Sequence, residues 1–150
     1  MRGFVLDASV ASRFVLREEY SGEVEAVLAD FREGEVELSA PSIVVSEVGS
    51  ALRKACVRGL IGEEEAVDGF GAFLGLGIKL LDQGLDGWVS ALRTAIEGRM
   101  SFYDAQYLVA CRALGVPLLT ADDDLLRRAG EAGLGVHIRD YRRAGRPAAS

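Results

Sequence analysis

The chain has 150 residues and a formal net charge of −6, with 49% apolar and 27% charged residues. That length suits one domain with a substantial core, and the composition argues against disorder. An acidic chain does not draw nucleic acid by its net field, so a phosphate substrate would need bound cations or a local basic patch.

In chain order, GFVL (Gly3 to Leu6) reads as a short buried strand, followed by a helix reaching Val15. Ser21 to Phe31 has helical spacing at Val24, Val27, Leu28 and Phe31. Val36 to Ala40 reads as a second strand, closed by Pro41. Ser42 is the expected N-cap of a long helix to Val57, stopped by Gly59. A further helix is expected from about Glu63 to Leu74, where three glutamates suit its positive N-terminal end. Gly77 to Leu81 reads as a third strand and Gly87 to Glu97 as a helix. Ser101 to Leu114 is the clearest helix, Val116 to Thr120 the clearest later strand. Asp123 to Ala129 follows as a short helix and Gly135 to Ile138 as a last strand. Strands alternating with helices predict a parallel sheet covered on both faces, an α/β fold. The expected domain spans residues 1–139, and the segment 140–150, with Arg142, Arg143 and Arg146, is expected to fray.

Side-chain chemistry narrows the function classes. With His137 the sole histidine, His-rich zinc sites are removed and a Ser-His-Asp triad is disfavoured. Cys56 and Cys111 sit in apolar helical contexts without CxxC spacing and read as buried free thiols. The start of the chain lacks a signal-peptide pattern, and no apolar run is long enough for a membrane span. A cytoplasmic location is the expectation. Gly69 to Gly75 has the wrong spacing for a phosphate loop and reads as a helix made thin for close packing. Trp88, Phe70 and Phe73 read as core or interface aromatics, and His137 as structural.

Four carboxylates stand out: Asp7, Glu47, Asp104 and Asp122. Gathered carboxylates repel one another, so a fold that collects them usually does so to hold hard divalent cations. Asp7 directly follows a buried strand, where open α/β sheets place their ligands, although it could equally cap the next helix. Asp122 also follows a strand, but Thr120 with Asp123 matches a capping box, and three consecutive aspartates leave the choice among them open. Ser101 with Asp104 matches a box too, yet Asp104 shares a helical stripe with Tyr107, Leu108 and Cys111, where a carboxylate is costly unless paired or metal-bound. Glu47 lies past the first turn of its helix, flanking a stripe of Val44, Val48, Ala51 and Ala55. Its plain alternative is a solvated rim residue. Lys54 and Arg58 continue that flank as candidate contacts to a phosphodiester backbone. Ser9 and Thr120 could hydrogen-bond the acidic cluster, and Asp123 and Asp124 could assist it.

Taken in order, an apolar strand ending in Asp7 with Ser9 two residues on, PSIVVSEVGSALRK, SFYDAQYLVACRALG and VPLLTADDDLL make a pattern. It resembles the PIN-domain ribonucleases, particularly the VapC-type toxins of toxin–antitoxin pairs, along nearly the whole chain. The resemblance implies a three-layer α/β/α sandwich around a parallel sheet of four or five strands. It also implies a Mg²⁺- or Mn²⁺-dependent endoribonuclease cutting single-stranded RNA, a homodimer, and inhibition by a small VapB-like antitoxin. By position, Asp7, Glu47, Asp104 and Asp122 match the family's acidic site, with Asp7, Asp104 and Asp122 the expected metal ligands. Rival readings are a housekeeping RNA-processing nuclease and a non-catalytic module that binds a partner protein in its acidic cleft. A phosphoryl-accepting receiver domain would want an acidic pair after its first strand and a late lysine. The last lysine here is Lys79.

Overall fold

A computed structural model describes residues 2–145. Strand β1 (Arg2–Leu6) is followed by α1 (Ala8–Ala11), a 3₁₀ turn (Ser12–Phe14) and α2 (Ser21–Arg32). Then come β2 (Val36–Pro41), α3 (Ile43–Val57), α4 (Glu63–Leu74), β3 (Lys79–Leu81) and α5 (Gly84–Gly98). The chain continues through α6 (Phe102–Leu114), β4 (Leu118–Thr120), α7 (Asp123–Glu131), β5 (Gly135–His137) and a second 3₁₀ turn (Ile138–Asp140). All neighbouring strands pair in parallel, in the order β3-β2-β1-β4-β5. Helices cover both faces, so the fold is the expected three-layer α/β/α sandwich.

The two cores follow from the two-residue period of a strand. Val5, Ala40 and Leu118 point to one face and pack on α3, α4, α6 and α7. Phe4, Leu6, Val36, Leu38 and Leu119 point to the other, against α2 and the C-terminal Ile138 and Tyr141. Strands buried on both faces need apolar residues at successive positions, which is what Phe4-Val5-Leu6 and Leu118-Leu119 supply. Helix α5 sits outside this sandwich, joined to α6 by a small cluster of Ala91, Ala95, Ala105 and Val109. Among the described residues, no helix is long and apolar enough to cross a membrane.

Local chemistry explains most boundaries. α3 buries Val44, Val48, Leu52 and Ala55 at helical spacing, with Leu52 taking the buried place expected for Ala51. It ends on Gly59 in the left-handed region (φ +75), with Gly59 N–H bonded to Cys56 O and Leu60 N–H to Ala55 O. Gly69 meets Val15 so closely that any side chain there would collide, in keeping with a thinned α4.

Several expectations need correction. The helix expected up to Val15 is a single turn, α1, that tightens into a 3₁₀ segment as the Arg13 guanidinium bonds Ser9 O and Glu19 O. Ser42 occupies the N-cap position of α3 with helical φ/ψ and makes no capping bond. Pro41 belongs to β2, pairing with Leu81, and α5 begins three residues earlier than Gly87. Cys56 is only half-buried and bonds Gly62 O, Cys111 is buried, and both are free thiols. Phe73 is buried but Trp88 is half exposed. The fraying expected from Asp140 onward does not describe the next residues, because Tyr141 is buried and Arg143 and the Ala144 N–H reach the Asp30 carboxylate. Arg146 and the rest of that segment lie outside the described residues.

Candidate active site

The strand order reverses between β1 and β4: successive crossovers leave β1 on either side, and open α/β sheets bind ligands beyond the strand ends at that point. Asp7 stands there. Register pairs Leu6 with Leu119, so the next residues, Asp7 and Thr120, meet across the gap. The Thr120 hydroxyl donates to Asp7 Oδ2 at 2.6 Å, and the Ser9 hydroxyl donates to Oδ1 at 2.6 Å. The Val10 N–H also reaches Oδ1, at 3.2 Å, making Asp7 the N-cap of α1. Each hydroxyl has one proton, used on Asp7, and each accepts a backbone N–H in return. Ser9 Oγ accepts from Ala121 and Thr120 Oγ1 from Asp122, which ties the turn after β4 to the end of β1.

Asp7 is 4% exposed. Burial raises its pKa to about 6, against the lowering effect of the Ser9, Thr120 and Val10 bonds, and the charge on Asp122 raises it further. Asp122 caps α7 through the Leu125 N–H and is exposed at the mouth of the site. Asp104, half-buried in the first turn of α6, has its pKa raised by burial and then by Asp122, opposed by Ser101 and Arg128. Glu47, half-buried on α3, is raised by burial and by Asp104, while the Tyr107 hydroxyl, donating to Oε1 at 2.7 Å, lowers it. The ends of β1 and β4, together with α3 and the start of α6, thus bring one electrostatic group together. Among the described residues, no lysine or arginine forms an ion pair with any of the four.

The neighbouring acids point elsewhere. Asp123 faces His137 Nε2 at 3.5 Å and Arg139 at 3.7 Å, and Asp124 pairs with Arg127 at 3.4 Å. Thr120 does not form the capping box suggested with Asp123, because its hydroxyl is committed to Asp7. Lys54 and Arg58 are exposed along α3. Two contributors escape a reading of the sequence. Tyr107 sits on the core stripe of α6 and gives no sign that its hydroxyl holds Glu47, and Arg128 is twenty-four residues from the Asp104 it faces. Burial and the nearby carboxylates push the Tyr107 phenol well above its ordinary pKa, so it stays protonated and keeps its proton for Glu47.

The PIN domain family profile matches residues 4–131. The chain belongs to the PIN-domain family. Among solved structures, it is similar to the crystal structure of PAE2754 from Pyrobaculum aerophilum. The two share 22% identity over 92% of each chain, with a TM-score of 0.70. At that identity the likeness speaks for the fold. No curated protein matches the sequence.

PIN domains are generally nucleases, and PIN nucleases generally use divalent metals. The donors here suit a hard cation: all are carboxylate oxygens, and among the described residues Asp7 Oδ2 accepts only the Thr120 hydroxyl, which leaves a lone pair for a cation. They are not drawn into a tight cage. Among the described residues, no three His, Cys, Asp or Glu side chains converge closely enough to hold one ion between them. Mg²⁺ keeps several waters and is commonly held by one or two carboxylates, so this open arrangement fits it.

Proposed function

We propose that this PIN domain is a metal-dependent endoribonuclease that hydrolyses phosphodiester bonds in single-stranded RNA, as the toxin of a VapBC-type pair. The observation that carries this reading is Asp7, a buried carboxylate held by two hydroxyls, flanked by Asp122 and given no cationic partner among the described residues. A side chain serving only as a helix cap gains nothing from a buried charge, since serine or asparagine would cap as well.

Asp7, Asp104 and Asp122 would hold Mg²⁺ or Mn²⁺, one or two of them directly and the rest through the ion's waters, and the ion when bound supplies a Lewis acid and a water of lowered pKa. Glu47 is the residue that orients the attacking water and takes its proton. Its raised pKa brings it nearer neutrality, where a general base works best, and Tyr107 fixes which way it points. Lys54 and Arg58 are suited to the RNA backbone only as exposed cations on the same helix. Ser9 and Thr120 hold Asp7 in place and act through it, since both hydroxyl protons are spent on its carboxylate.

A homodimer is supported by α5, whose Leu85, Trp88, Val89, Leu92 and Ile96 are all at least half exposed. The spacing of Leu85, Val89, Leu92 and Ile96 reads the same in both directions, which suits a two-fold contact between antiparallel copies. A small VapB-like antitoxin and a cytoplasmic location belong to the same reading.

The test is incubation of a mixed-sequence single-stranded RNA with the protein in EDTA, in Mg²⁺ and in Mn²⁺. Cutting that requires metal is expected. No cutting by folded, metal-supplied protein would count against the nuclease and favour a module that receives a partner's arginine in the acidic cleft.

A further inference from the structure

Helix α6, which carries Asp104 in its first turn, runs on beyond the carboxylates. Asp104, Leu108 and Arg112 follow at four-residue spacing and so share one face of the helix. A cavity of about 300 Å³ opens there between α5, α6 and α7, lined by Met100, Leu108, Arg112 and Arg128 together with the exposed Glu97 and Glu131.

Each of the two arginines is fixed by a neutral acceptor, and Arg128 also faces Asp104. Arg128 Nη1 donates to Gly98 O at 2.9 Å, and Arg112 Nη1 donates to Thr94 Oγ1 at 3.2 Å. Both acceptors are uncharged. Among the described residues, neither Arg112 nor Arg128 has a carboxylate within ion-pair distance, Glu97 and Glu131 included. A guanidinium has five donors in a planar fork, and each of these two uses one of them in the described contacts. The remaining donors match the geometry of a phosphate, which arginine takes in bidentate fashion. In a chain of net charge −6 these are two guanidiniums beside an acidic site, where a polyanion needs cationic contacts, with the exposed Glu97 and Glu131 also in the lining.

We propose that this cavity is a phosphate subsite, in which Arg128 and Arg112 hold a backbone phosphate of the RNA strand next to the one that is cut. This rests on the nuclease reading. Arg112 lies eight residues beyond Asp104, about 12 Å along the helix, so the phosphate it meets is not the scissile one.

The experiment is fluorescence anisotropy of a labelled mixed-sequence single-stranded RNA in Ca²⁺, between about 50 and 200 mM salt. It compares the wild type, Arg112→Gln/Arg128→Gln and Arg127→Gln, the last removing a charge from the exposed side of α7, away from the cavity. The double variant should bind about tenfold more weakly, with a salt dependence shallower by about 0.7 for each phosphate it no longer holds. Arg127→Gln should bind like wild type. Arg112→Gln alone, on an exposed side chain, keeps the test valid if the double variant is poorly folded, and should move affinity in the same direction. Wild-type affinity and slope in the Arg112 and Arg128 variants, or an equal loss in Arg127→Gln, would overturn the subsite and leave the nuclease standing. Absence of RNA binding by the wild type would overturn both.

Discussion

Tyr107 donates its phenolic proton to Glu47 Oε1 at 2.7 Å, joining α6 to α3 across 60 residues of sequence. The bond aims the one carboxylate of the group that comes from α3. Tyr107→Phe keeps the ring in the core and removes only the hydroxyl. A hydrogen bond to a charged group is worth about 1.5–3 kcal/mol, so kcat/KM should fall by roughly tenfold or more. The melting temperature should change little, because Glu47 is half-buried and water can replace the phenol. Steady-state cleavage beside a thermal melt checks both halves. Unchanged kcat/KM would remove Glu47 orientation from the mechanism.

Asp7 predicts an unusual pH dependence in metal-free protein. Its folded pKa of about 6 lies above the unfolded value near 3.9, so the folded chain holds this proton more firmly. The stabilisation is complete below the unfolded pKa and is lost as pH rises through about 6, amounting to about 3 kcal/mol. Asp7→Asn has no such proton to lose. Urea melts in EDTA at about pH 4.5 and pH 7.5 compare the two proteins across that window. The stability of Asp7→Asn relative to wild type should rise at the higher pH, where the wild type must carry a buried charge. Adding Mg²⁺ should restore the wild type and leave the variant unmoved. A pH-independent difference between the two would contradict the buried charge.

Asp30 is fully buried and collects Arg2 at 3.2 Å, the Tyr141 hydroxyl at 2.7 Å, the Ala144 N–H at 2.9 Å and Arg143 Nε at 3.1 Å. The Arg143 contact is an ion pair by distance but not an aligned hydrogen bond. This clasp sits at the opposite end of β1 from Asp7. Asp30→Ala should cost about 2–4 kcal/mol, lowering the melting temperature by roughly 5–15 °C, since it strands several donors at once. Cleavage per folded molecule should stay within about twofold, a separation of stability from activity that calorimetry and an activity assay would read.

The exposed stripe on α5 carries the expected dimer. Leu92→Glu places a charge at its centre, where a two-fold contact meets the same change twice. Sedimentation should show the variant as a monomer at concentrations where the wild type is dimeric. A wild type that is monomeric throughout would remove the dimer from the account.

Much of this was legible in residue order, and the exceptions share a cause. Phe4-Val5-Leu6 and Leu118-Leu119 read as strands because a sheet covered on both faces needs uninterrupted apolar runs. Ser101 read as a cap because capping acts over three residues, and its hydroxyl does accept the Asp104 N–H. Long-range contacts left no such trace. The Thr120–Asp123 box looked sound locally, yet the Thr120 hydroxyl is drawn to Asp7 from 113 residues away and Asp122 caps α7 instead. Tyr107 read as core for its position on a buried stripe, and its polar end was invisible. Asp30 gave no signal at all, since its partners arrive from both ends of the chain.

The central claim is that the carboxylates beyond β1, β2 and β4 and at the start of α6 form one metal-dependent cutting site. Asp104→Asn tests it most directly. The substitution keeps the side-chain shape and the backbone bond from the Asp104 N–H to Ser101 Oγ while removing the charge. Cleavage of single-stranded RNA in Mg²⁺ would be timed for variant and wild type at matched, verified folding. A loss of at least about 100-fold with an unchanged melt is the expected result. Cutting at the wild-type rate by Asp104→Asn would contradict the site as described.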